Sequence, residues 1–173
     1  MLMNRRGFLI ASSVVLAGGA AAALHRRQDT SSITATIARF EKWQGRALAS
    51  HTAWTPAQVL HHMAQSVEYS LSGYPLPKPR WFQHTIGRAA FETFSYTGAM
   101  HHSLIEAIPG APTLAADDDT QEGLKRLCVA LRQFEVHPGP LAPHFAFGAL
   151  SHAEFAVAHV LHIENHLQQL VLA

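Results

Sequence analysis

Apolar positions recur at intervals of three and four along most of this chain, and that period belongs to helices. In residues 31–50, Ile33, Ile37, Phe40, Gln44 and Ala47 share one face, so the spacing predicts a first helix across that stretch. Residues 55–73 carry a second helix with clearer ends. Thr55 is a natural N-cap, Pro56 takes the first helical position, Gln58 completes a capping box and Gly73 is a natural stop. Val59, Met63 and Val67 mark its inward face. His62 lies on an adjacent edge, between Val59 and Ser66, while His61 falls about 100° further round and is expected to meet solvent. A third helix is predicted from about Trp81 to Tyr96. Asp119 and Glu122 open a fourth that runs through Phe134, with Leu124, Leu127, Cys128 and Leu131 inside. Ser151 and Glu154 cap the last, which is expected to reach about Val171.

The connections read as loops. Prolines 75, 77 and 79 alternate and force an extended connector. "AIPGAPTLAADDD" and "HPGPLAPHFAFG" are rich in breakers. No stretch sustains a period of two, so no strand is expected. The predicted class is all-α, a four-helix bundle with an additional short helix.

Composition agrees with a folded domain. The chain has 173 residues, 48% hydrophobic and only 14% charged, enough for one domain with a real core. A net charge of +1 leaves no basic footprint for nucleic acid. Cys128 is the lone cysteine, which excludes an internal disulfide and a thiolate metal cage; its place among leucines marks it as inert core. Asp117, Asp118 and Asp119 read as solvated loop charge at a helix start rather than a metal cluster.

The N-terminus breaks the pattern. "NRRGFLIASSVVLAGGAAAAL" joins Arg5 and Arg6 to a mildly apolar run and resembles a twin-arginine export signal. Ser12, Ser13, Gly18 and Gly19 soften the run, which suits a signal better than a plain membrane anchor, the alternative reading. Residues 1–28 are therefore expected to be a signal peptide or N-terminal anchor, and residues 29–173 the helical domain. Export by this route places the domain in the periplasm or on the periplasmic face of the membrane. It makes the twin-arginine machinery a partner and favours a cofactor inserted before export.

The chemistry lies in the histidines. There are 13, scattered rather than in a tag-like run. In "HVLHIENH", with His159 set at zero, His162 falls near about −60° and His166 near about −20°, so all three rings point one way. His162 and His166 are one turn apart, a spacing that lets two imidazoles reach one ion. A third ligand must come from another helix, and His62 is the best candidate. Three neutral imidazoles with an open position suit Zn²⁺, Ni²⁺ or Fe²⁺. His159 is a candidate fourth ligand or supporting donor, and His152 and His144 candidate lining of a pocket mouth. Each also fits a purely structural role, and the whole set is open to the plainer reading that these rings only pack. There is no HExxH, so a protease reading lacks its general base. Glu68 and Glu164 are the only further acid–base candidates, and neither shares an edge with its neighbouring histidine.

The segments "WTPAQVLHHMA" (54–64) and "HIENHLQQ" (162–169), with "HFAFGALS" (144–151) before the last helix, resemble the DinB/YfiT-like four-helix bundles. The closest likeness is to an uncharacterised branch, and it spans roughly residues 33–172. The resemblance implies a metal triad of His62, His162 and His166 at one end of the bundle, holding zinc or nickel ahead of iron. It also implies a role for Gln169 in orienting a ligand. Some members are thiol-dependent transferases or isomerases. Here the arginine that many relatives carry after the last histidine is absent, since Leu167, Gln168 and Gln169 follow His166. The expected function is that of an exported metal protein, a metal-dependent enzyme of hydrolase-like or thiol-transferase-like type. The alternative is a non-catalytic module for a metal or small molecule. A metal ion and an unidentified small molecule are the expected ligands, a homodimer is allowed, and nucleic acid is not expected.

Overall fold

The computed structural model describes residues 32–173; the expected signal or anchor lies outside the described residues. Helix α1 is Ile33–Glu41, α2 is Pro56–Ser72, α3 is Arg80–Phe82, α4 is Arg88–Thr97, α5 is Thr120–Glu135 and α6 is His152–Leu167. A π-helical turn, Gln83–Gly87, joins α3 to α4, so that residues 80–97 form one irregular helix where a single regular one is expected. The described residues are thus mostly helical. None of their helices is long and apolar enough to cross a membrane.

The helix starts follow the capping logic of the sequence. Thr55 with Gln58, and Ser151 with Glu154, each form both halves of a capping box. The Asp119 side chain accepts from the Glu122 N–H. Gly73 ends α2 at a φ of 104°, a value that only glycine adopts without strain. The core forms where the inward faces meet. Phe40 of α1, Met63 of α2, Leu124, Leu127 and Phe134 of α5, and Phe155 and Ile163 of α6 are all fully buried. Burying each such side chain contributes roughly 1.5–3 kcal/mol. Helix α2 lies so close to α5 that a Cβ on Gly123 would stand 3.1 Å from that of Leu60.

Three expectations about the helices fail; the first two share a cause, which also overturns the expectation of no strand. The first helix stops at Glu41 rather than continuing to residue 50, and Gly45 turns the chain at a φ of 69°. The last helix stops at Leu167 rather than near Val171. The residues released from both helices pair instead: β1 (Leu48–Ser50) and β2 (Leu170–Leu172) form an antiparallel ribbon, with Leu48 opposite Leu172 and Ser50 opposite Leu170. These strands are three residues long, too short for a period of two to show in the sequence. Third, His61 is buried rather than solvent-facing, because α5 covers that flank of α2. The Arg126 guanidinium donates to His61 Nδ1 at 3.1 Å while gripping Glu68 with two further bonds of 2.8 and 2.7 Å.

Candidate metal centre

Helices α2 and α6 bring His62, His162 and His166 together. One ring nitrogen from each lies within 4.8 Å of the other two. Nε2 of His62 and Nε2 of His162 are 3.2 Å apart. Two nitrogens bound to one tetrahedral ion at about 2.0–2.1 Å are separated by about 3.3 Å, so this pair already has ligand spacing. The three ring centroids are 4.6–5.1 Å from one another. Trp54, in the turn before α2, closes one side. Its indole stacks parallel to the His166 ring and meets His62 edge-on at 5.0 Å.

Burial sets the protonation state. His62 and His166 are buried and His162 is half-buried. Burial, reinforced by the neighbouring His102, lowers the pKa of His62 to about 4. Burial also holds His162 and His166 far below the usual imidazole range, with the surrounding histidines adding to the effect. At neutral pH the rings are uncharged, and that is the form that ligates a metal.

Two of their nitrogens have no hydrogen-bond partner. His62 Nδ1 and His166 Nε2 are the only buried side-chain polar atoms in that condition among the described residues. Buried polar atoms are nearly always paired, so the orphan Nε2 of His166, beside the rings of His62 and His162, marks a place for a further group; His62 meets His162 through Nε2, and its orphan Nδ1 lies on the other side of the ring. A divalent ion fits that donor set of neutral imidazoles.

The β-ribbon that replaces the expected helix ends serves this site. It sets Thr52, just after β1, beside Gln169, just before β2. The Thr52 hydroxyl donates to Gln169 Oε1 at 2.6 Å, and the Gln169 amide reaches His166 Nδ1 at 2.7 Å. Gln169 is fully buried. Turning its amide over keeps both contacts, with Nε2 donating to Thr52 and Oε1 accepting from His166 Nδ1–H. In that orientation the lone pair of His166 is on Nε2, facing the other two rings.

The other candidates separate. His159 is buried, and its Nε2 meets Ser70 Oγ at 3.1 Å. Ser70 already gives its proton to the Val67 carbonyl, so His159 is the donor and its Nε2 has no lone pair for an ion. His144 is buried and lines a cavity, and its Nδ1 accepts from the Ala146 and Phe147 amides. His152 donates to the Phe134 carbonyl at the end of α5. Glu68 and Glu164 are held by Arg126 and Arg39 in ion pairs of 2.7 and 2.8 Å. Cys128 is buried, which raises its pKa, and Asp117, Asp118 and Asp119 are exposed.

A family model described as a protein of unknown function (DUF1569) matches residues 23–172. The chain belongs to that family. No curated protein and no solved structure matches it.

In this DUF1569 chain the triad opens on a cavity of about 260 Å³. His62 and His162 form part of its wall, and Phe94, Met100, Ile108 and Phe147 supply much of the apolar remainder; Lys78 and Glu106 also line it. His102, from the loop between α4 and α5, lines it too. Sequence reasoning missed His102, Thr52 and Glu106 as site residues because they lie on irregular chain, where no helical period reveals a shared face.

Proposed function

We propose that this chain is a divalent-metal protein that handles a small, largely apolar molecule in the cavity beside its ion. His62, His162 and His166 hold the metal, zinc or nickel ahead of iron. The observation that carries the reading is the cluster itself: one ring nitrogen from each of His62, His162 and His166 lies within 4.8 Å of the other two, and His166 Nε2 has no hydrogen-bond partner. A metal held there supplies Lewis-acid chemistry to whatever occupies the cavity. The chain's own groups do the rest. Gln169 and Thr52 orient His166, Trp54 excludes water from the rings, and the apolar wall selects the ligand's body. Cavities of this type, apolar with a few convergent polar groups, are where small molecules bind and react.

The same proposal includes a DinB-like four-helix bundle and delivery by the twin-arginine route. It is supported by the arrangement of α1, α2, α5 and α6, by the histidine spacing that the resemblance implies, and by Arg5 and Arg6 at the N-terminus. Metal-dependent catalysis, hydrolase-like or thiol-transferase-like, is the leading form of this function. A non-catalytic binding module is the second, favoured by Glu68 and Glu164 both being tied up in ion pairs away from the rings.

The decisive measurement is elemental analysis of protein exported by its own host, beside the His162→Ala variant. About one equivalent of metal in the native chain is expected, and markedly less in the variant, because His162 supplies one of the clustered imidazole donors. Less than about a tenth of an equivalent in the native protein contradicts the reading.

A further inference from the structure

We infer that His102 is a fourth nitrogen ligand, carried on the loop between α4 and α5 and closing the site from the cavity side. The inference rests on the metal reading of the triad and adds a residue to it. The His102 ring centroid is 5.1 Å from that of His162 and 5.0 Å from that of His166. Rings bound through one nitrogen each to a tetrahedral ion have centroids about 5 Å apart. The triad's own separations, 4.6–5.1 Å, fall in the same range. His102 therefore stands beside two of the three rings, just outside the set whose nitrogens already lie within 4.8 Å of one another, on the loop that follows α4.

Its hydrogen bonding points the same way. His102 Nδ1 is 2.8 Å from the carbonyl of Ser103, which has no proton to give, so Nδ1 carries the hydrogen and Nε2 keeps the lone pair. A ring tied through one N–H to a backbone carbonyl, with its other nitrogen free, is the usual state of a ligating histidine. The loop is pinned where this requires it. Asn165 of α6, next to His166, donates to the His102 carbonyl at 3.4 Å, and the buried side chains of Met100 and Ile108 anchor the chain on either side. His102 also lines the cavity with His62 and His162. Unlike the triad it is exposed. The three helix-borne rings are set in place by packing, and the loop-borne ring closes on the ion as it binds.

Cobalt(II) reports the shell directly, since its visible bands depend on the number and type of ligands. The full chain, metal-stripped and titrated with cobalt, is compared with His102→Ala, His102→Cys and His101→Ala. His102→Ala is expected to weaken cobalt binding by about 10- to 100-fold and to change the visible bands. His102→Cys is expected to restore binding and add a thiolate-to-cobalt charge-transfer band in the near ultraviolet. Cys128 is buried in α5 and common to all four proteins, so the new band belongs to residue 102. His101→Ala is expected to match the native chain. Unchanged affinity and bands in His102→Ala, with no charge-transfer band in His102→Cys, overturn this inference and leave the triad standing. A native chain that takes up no cobalt overturns both.

Discussion

Helix α6 carries two kinds of histidine within four turns. Near its start, His152 and His159 are satisfied by the protein: one donates to the Phe134 carbonyl, the other to Ser70, and both pack on the Phe134 ring. Near its end, His162 and His166 turn toward His62, and His166 Nε2 meets no partner at all. Residue type, helix and face are shared, and burial does not separate them, since His159 and His166 are both fully enclosed. The difference is in the bookkeeping of lone pairs. A structural histidine has its hydrogen bonds completed by neighbours, whereas a ligating one is left incomplete by design of the fold.

The largest effect expected from this contrast is on stability against pH. His144 and His159 each have a ring nitrogen satisfied by the protein, and burial lowers each pKa to about 3. In the unfolded chain they titrate near 6.5. Below that pH the unfolded state binds more protons than the native one, so stability is full above about pH 6.5 and falls steadily toward pH 3. Two such rings cost on the order of 2–4 kcal/mol between pH 7 and pH 5. Urea unfolding of the metal-free protein at pH 7, 6 and 5 should show the midpoint dropping at each step, with the triad rings, also lowered by burial, adding to the drop. A flat profile would mean that these rings are not held neutral, and the contrast with the triad would lose its structural half.

Gln169 sharpens the other half. Replacing it by Leu removes the partner of His166 Nδ1 while leaving all three rings in place. Metal affinity is expected to fall about 10- to 100-fold, the usual cost of losing a group that orients a ligating imidazole. Gln169→Glu keeps an acceptor at Nδ1 and should bind at least as tightly as the native chain. Competition with a chromophoric chelator measures both variants. Equal affinities in Gln169→Leu and the native protein would show that the Thr52–Gln169–His166 chain has no part in the site.

The legibility of these features in the sequence follows from their physics. Caps and stops are local, so Thr55, Gly73 and Ser151 announce α2 and α6 from composition alone. The triad was legible because i, i+4 spacing on α6 is a helical regularity, and His62 because it sits beside an obvious core face. The ribbon was not, because its three-residue strands are created by pairing across the whole domain, and Gln44 and Ala47, in register with Ile37 and Phe40, make the preceding helix look longer than Gly45 allows. His61 was misplaced because its burial depends on α5, which α2's own period cannot reveal. His102 was out of reach for the same reason: a loop has no period, and only the folded chain brings residue 102 beside residues 162 and 166.

The smallest effect is the most direct test of the division along α6. In His159→Phe the new ring keeps the stack on Phe155 and the edge contact with Phe134, which lie 5.4 and 4.9 Å away between centroids. Ser70 keeps its bond to the Val67 carbonyl and loses only an incoming donor. The loss of one ordinary hydrogen bond, offset by a more apolar ring, should change stability by only about 1 kcal/mol at pH 7. The slope of stability against pH should shrink by about one proton, because one ring that titrates in the unfolded state is gone. Metal affinity should not move, since His159 Nε2 spends its proton on Ser70 and offers the ion nothing. If His159→Phe instead weakened metal binding tenfold or more, His159 would belong with His162 and His166. The line between completed and incomplete rings would then have to be drawn one turn earlier on α6.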